Sequence, residues 1–149
     1  MRYKSTGEVH LDFHGTANTT IDYITKNYGV DALKEIFKRV GGDVYRSIHE
    51  GLVAGDASEL IEHWGYYLER EGGDFDILEK EESITLTIKD CPAVRHVKKI
   101  GLEVSEFFCE QTISLNEGLC SETPYEITTK LTGEGKCVQT LRRRTGEAL

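Results

Sequence analysis

The sequence predicts an α+β domain, with one antiparallel sheet built from two hairpins and helices packed on one face. Two kinds of periodicity carry that prediction. Ile84, Leu86 and Ile88 alternate with Ser83, Thr85, Thr87 and Lys89, and Tyr125, Ile127, Thr129 and Leu131 alternate again later, each the pattern of a strand with one wet face. Elsewhere apolar residues recur every three or four positions, as on the inner stripe of a helix. No internal repeat or interdomain linker interrupts the pattern, so residues 1–149 read as one domain.

Taken in order, residues 9–14 set Val9, Leu11 and Phe13 against His10, Asp12 and His14, which predicts an extended segment. Thr19 followed by Asp22 has the form of an N-cap with an acidic partner, opening a helix that runs to Tyr28 and stops at Gly29. Asp31 is placed to cap the next helix. Leu33, Ile36, Phe37, Val40, Val44, Ile48 and Leu52 form one long amphipathic stripe, interrupted by Gly41 and Gly42. Glycine costs about 1 kcal/mol inside a helix, so the pair predicts either a kink or a close approach by another element. Asp56 with Glu59 begins a helix faced by Leu60, Ile61, Trp64 and Leu68, which Gly72 and Gly73 end. Phe75 and Ile77 start the first hairpin. Pro92 opens a helix to about Gly101, and Ser105 is placed to cap another from Glu106 to Leu119. A turn at Gly133 and Gly135 joins the last two strands.

The chain carries 26 acidic and 18 basic residues, a formal charge of −8. Such a field repels nucleic-acid phosphate and anionic membrane surfaces, so neither is an expected partner. No apolar run approaches the roughly 18 residues of a membrane span, and the first five residues lack the apolar core of a signal peptide. The expectation is a cytoplasmic protein whose four cysteines stay reduced and whose partner is a small molecule. The alternative is an interaction protein, a homodimer formed through the exposed part of the long helix stripe.

Cysteines and histidines are the residues able to do chemistry. On a continuous helix from Glu106, Cys109 and Cys120 are eleven residues apart, or roughly 16 Å, too far to share a metal ion or a disulfide. Cys91 stands at a helix start, where the dipole lowers a thiol pKa, and Cys137 beside the Gly-rich turn; buried structural cysteine is the plain alternative for each. His10, Asp12 and His14 are ligand types suited to zinc, manganese or iron, yet residues collinear along a strand seldom reach one ion, so no metal is assigned. His14 or His63 would serve as acid or base, because an unperturbed imidazole titrates close to working pH. His63 stands beside Trp64 and one turn from Glu59 and Tyr67, the spacing of a ring oriented by hydrogen bonds or of an ordinary polar shoulder. Arg142, Arg143 and Arg144 offer an anion site or simply a solvated charge run.

Cys91-Pro92, Phe108-Cys109 and the turn of Gly133, Gly135 and Cys137 together resemble the L-2-amino-thiazoline-4-carboxylic acid hydrolase family. The likeness is spread over residues 32–143 and is sharpest over 91–137. The Gly-x-x-x-Cys ending is also similar to 4-vinyl-reductase-type ligand-binding domains, relatives in fold of the Bet3-like proteins. These resemblances imply a Bet3-like α/β plait with a small-molecule cavity between helices and sheet. The first implies a hydrolase that adds water to a cyclic amidine and expels the ring sulfur, giving an N-carbamoyl cysteine. It implies Cys109 as nucleophile or pocket thiol, with His14 or His63 as acid or base. It further implies a substrate-binding wall of Cys91, Arg95, Asn116 and Cys137, the substrate carboxylate lying at the helix start near Cys91 or on Arg95. Gln111 and Lys130 depart from that pattern, standing where relatives carry an acid and often a further cysteine. The second resemblance implies a non-enzymatic sensor whose cavity takes an apolar or tetrapyrrole-like ligand, and neither fixes a cofactor.

Overall fold

Two antiparallel hairpins, β1 (Asp74–Lys80) with β2 (Ser83–Asp90) and β3 (Tyr125–Gly133) with β4 (Lys136–Arg143), join into one open sheet of order β1-β2-β4-β3. The computed structural model describes residues 10–144. The helices among them are α1 (Asp12–Tyr28), α2 (Val30–Asp43), α3 (Arg46–Val53), α4 (Ser58–Arg70), α5 (Pro92–Lys99) and α6 (Glu110–Leu119). The register stacks three inward rows across the sheet: Phe75, Ile88, Cys137 and Leu131, then Ile77, Leu86, Gln139 and Thr129, then Ile84, Leu141 and Ile127. Ser83, Thr85 and Thr87 point the other way, because successive residues of a strand alternate sides. The α+β class and the two-hairpin sheet agree with the sequence prediction.

Helices cover the inward rows. Ile48, Leu52, Leu60 and Trp64 of α3 and α4 pack on Leu86, Ile88 and Leu141. A second cluster joins Ile21, Leu33, Val94, Val97 and Phe108, and Cys91 packs against both. Leu86 is 1% exposed, so truncating it to alanine costs about 2–5 kcal/mol. No helix among the described residues is long and apolar enough to cross a membrane.

The extended reading of the N-terminal segment is overturned. Val9 lies outside the described residues, and Asp12 to His14 form the first turn of α1, His14 N–H donating to Leu11 O at 3.0 Å. The inner face of α1 is His14, Gly15, Asn18 and Ile21. Only one of those is a large apolar side chain, so the helical period never registered as an apolar one. Asn18 donates to Glu103 O and accepts from Ser105 N–H, both at 2.9 Å. Thr19 lies inside the helix and returns its hydroxyl to Gly15 O at 3.1 Å instead of capping. Gly29, with φ 86°, ends α1 as expected, whereas Asp31 sits in the first turn of α2 and makes no side-chain cap.

The long stripe is divided between α2 and α3 at Val44 and Tyr45, beyond the glycine pair. Gly41 is there for contact: a Cβ on it would meet Leu115 O at 2.5 Å, and one on Gly118 of α6 would strike the Lys38 backbone. Two glycines thus let two helix backbones touch. Asp56 stands one residue ahead of the N-cap Ala57, and its Oδ1 accepts from Ser58 N–H at 2.9 Å. Residues 106–109, predicted as helix, form tight turns in which Phe108 N–H donates to Ser105 O at 3.0 Å and Glu110 N–H to Phe107 O at 2.9 Å. Cys109 therefore becomes the N-cap residue of α6 rather than an interior position.

Candidate functional site

Pro92 takes the first position of α5 and Cys91 its N-cap, in extended conformation. Cys91 N–H donates to Gly135 O at 2.9 Å. That bond ties the start of α5 to the turn two residues ahead of Cys137, whose Cα pairs with that of Ile88. Cys109 arrives from the turn before α6 and His14 from the first turn of α1. All four side chains line one cavity of about 190 Å³, closed by Phe13 and Phe108. The cavity lies between helices and sheet.

The electrostatics of the thiols differ from the sequence expectation. Burial pushes the Cys91 thiol up, outweighing the opposing backbone N–H groups of Val94 and Ala93, so the helix start does not lower it as predicted. Burial likewise raises Cys109, and it pushes Cys137 up to about 11 against the amide of Gln139. These are neutral thiols near pH 7, polarisable walls with weak nucleophilicity. Cys120 lies apart, buried at the C-cap of α6 and likewise raised by burial to about 11. All four cysteines are free.

His14 Nε2 lies 2.9 Å from Glu71 Oε2, with side chains 10% and 9% exposed. Glu71 is the C-cap residue of α4. In the tautomer that carries its proton on Nε2, His14 donates to Glu71 and Nδ1 keeps the lone pair. His14 thus stands against a carboxylate on the wall of a small cavity. Sequence reasoning did not single out Glu71. Its signal was electrostatic, since an acid at the negative end of a helix dipole is out of place unless a partner holds it.

The structure does not bring the other predicted site residues into this cavity. Arg95 pairs with Asp90 and donates to Gly72 O at 2.8 Å, so it braces the loop behind Glu71 and does not line the cavity. Lys136 reaches the cavity instead; no motif distinguished it in the sequence beyond its place in the Gly-rich turn. His63 and Asn116 face a second chamber of about 310 Å³, which shares Ile88, Gln111, Thr112 and Gln139 with the thiol cavity. Burial holds His63 down to about 4. Asn116 donates to Gln139 Oε1 at 2.7 Å and to Thr129 Oγ1 at 3.2 Å, building a polar strut across the inward sheet face. His10, Asp12 and His14 do not converge: His10 precedes the helix, Asp12 is 3.4 Å from His96 Nε2, and His14 is on Glu71. No group of three His, Cys, Asp or Glu residues able to hold a metal ion occurs among the described residues. The chain matches no protein-family model and no curated protein.

Proposed function

We propose that the chain is a small-molecule hydrolase that opens a cyclic amidine of the 2-aminothiazoline-4-carboxylate type, with His14 as the general base. The observation that carries this reading is the His14–Glu71 pair on the wall of the thiol-lined cavity. A cavity of about 190 Å³ suits one small ring with its substituents rather than a larger ligand. His14 takes a proton from water as the water oxygen bonds to the amidine carbon, giving a tetrahedral adduct. The carbon–sulfur bond then breaks, the imidazolium returns its proton to the leaving sulfur, the adduct's hydroxyl proton passes to the former ring nitrogen, and the product is an N-carbamoyl cysteine. Water is consumed and His14 is regenerated.

This reading revises the roles of the thiols. Cys109 is raised by burial, so it lines the pocket and does not attack; Cys91 and Cys137 do the same. Lys136 takes the substrate carboxylate, the part first assigned to the helix start near Cys91 or to Arg95. His63 belongs to the neighbouring chamber and has no part in the reaction. The test is thiol release from 2-aminothiazoline-4-carboxylate between about pH 6 and 9, the range over which an imidazole base becomes active. Wild type and Cys109→Ser should both release thiol, whereas His14→Ala should lose about 100-fold or more. No release by wild type rejects the hydrolase, and loss in Cys109→Ser with retention in His14→Ala returns the reaction to a cysteine nucleophile.

A further inference from the structure

The second chamber lies under α4 and against the middle inward row of the sheet. Tyr45, His63, Trp64 and Tyr67 form its aromatic side, with the His63 ring edge-on to Tyr45 at 5.1 Å between centroids and tilted against Tyr67 at 4.6 Å. Asn116 and Gln139 form its polar side. No Asp, Glu, Lys or Arg is among the described residues that line its volume of about 310 Å³. Tyr67 is 39% exposed, which gives the chamber a wet edge.

We propose that this chamber is a second binding site, distinct from the thiol cavity, that takes an uncharged, planar aromatic molecule. Rings on one side supply stacking and edge contacts to a flat π-system. The amides on the other side, tied to one another, present a polar edge that orients such a molecule, the usual division of labour in a ligand pocket. Burial keeps His63 neutral near pH 7 and raises Tyr45, so neither supplies a counter-ion. A ligand carrying a carboxylate or sulfonate would bury it unpaired. The thiol cavity differs in having Lys136 on its wall, so the two sites sort ligands by charge.

Trp64, the one tryptophan of the chain, stands in the chamber wall and reports on it. The probe is N-phenyl-1-naphthylamine, uncharged, compared with 1-anilinonaphthalene-8-sulfonate, which has the same rings and an added anion. The uncharged probe should show saturable energy transfer from Trp64, and the sulfonate should bind about tenfold or more weakly. Leu115→Trp, which narrows this chamber, should weaken the uncharged probe about tenfold by direct probe emission, and Leu131→Trp, which narrows the thiol cavity, should leave it unchanged. Equal affinity for the two probes, absence of saturable transfer, or loss in Leu131→Trp but not Leu115→Trp overturns the proposal. Circular dichroism checks each variant, and if Leu115→Trp does not fold, the comparison of the two probes on wild type decides.

Discussion

His14 and Glu71 meet at 2.9 Å across 57 residues of sequence, one on the first turn of α1 and the other closing α4. The contact sets the orientation of the only histidine that lines the thiol cavity among its described residues. It also gives a hydrogen-bond partner to a carboxylate that stands at the negative end of α4.

Glu71→Gln tests the pairing. The amide keeps the shape but no longer stabilises an imidazolium, so the cost falls on the step in which His14 carries the proton. With 2-aminothiazoline-4-carboxylate, kcat should fall about tenfold or more while KM stays within about twofold. A parallel urea titration separates this from unfolding. A KM effect with unchanged kcat would make Glu71 a binding residue instead of a positioning one.

The glycines of the α2–α6 crossing give a stability prediction of opposite signs. A Cβ at Gly118 collides with backbone atoms of Lys38, which cannot rotate away, so Gly118→Ala should destabilise by about 2–3 kcal/mol. Gly42 has nothing within 4 Å of the same position and lies in α2, so Gly42→Ala should stabilise by about 0.5–1 kcal/mol. Urea midpoints of the two variants check both. Equal effects would mean that the helices do not cross at these glycines.

Buried thiols make the fold sensitive to alkali. Cys120 and Cys137 are pushed from 9.0 up to about 11 by burial, so between those values the unfolded chain has lost protons that the folded chain keeps. Stability therefore is complete below about pH 9 and declines as pH rises toward 11. The urea midpoint should fall across that window, and a Cys120→Ala, Cys137→Ala double variant should show a flatter decline. An unchanged slope would place the alkaline sensitivity elsewhere.

Both hairpins were legible in the sequence because each buries one face, and Ile84, Leu86 and Ile88 announce that face by alternation. The turn glycines located the ends of α1 and α4 for the same local reason. The start of α1 was not legible, since His14 and Asn18 are polar and become buried only through partners 57 and 85 residues away. Among the site residues, Cys91, Cys109, Cys137 and His14 do share a cavity, as a thiol-lined pocket requires. His63 and Asn116 do not, because the helix faces that carry them turn toward the middle of the sheet instead of its Cys137 row. The raised thiols were equally hidden, as burial is a property of the packed chain and not of the motif.

Lys136→Met addresses the recognition of the substrate carboxylate. Lys136 is the cationic side chain on the thiol cavity wall, and its exposure limits what a charge-assisted contact contributes there. Removing it should therefore raise KM for 2-aminothiazoline-4-carboxylate by about tenfold, near the low end for a hydrogen bond to a charged group. The kcat should stay within about twofold, because the carboxylate is remote from the carbon that water attacks. Plain 2-aminothiazoline has no carboxylate to lose, so its kcat/KM should be the same in variant and wild type. Raising the salt concentration should shrink the difference between the two proteins on the carboxylate substrate, since the contact is solvent-screened. A KM increase of equal size on the uncharged ring would mean that Lys136 shapes the cavity and does not read the anion.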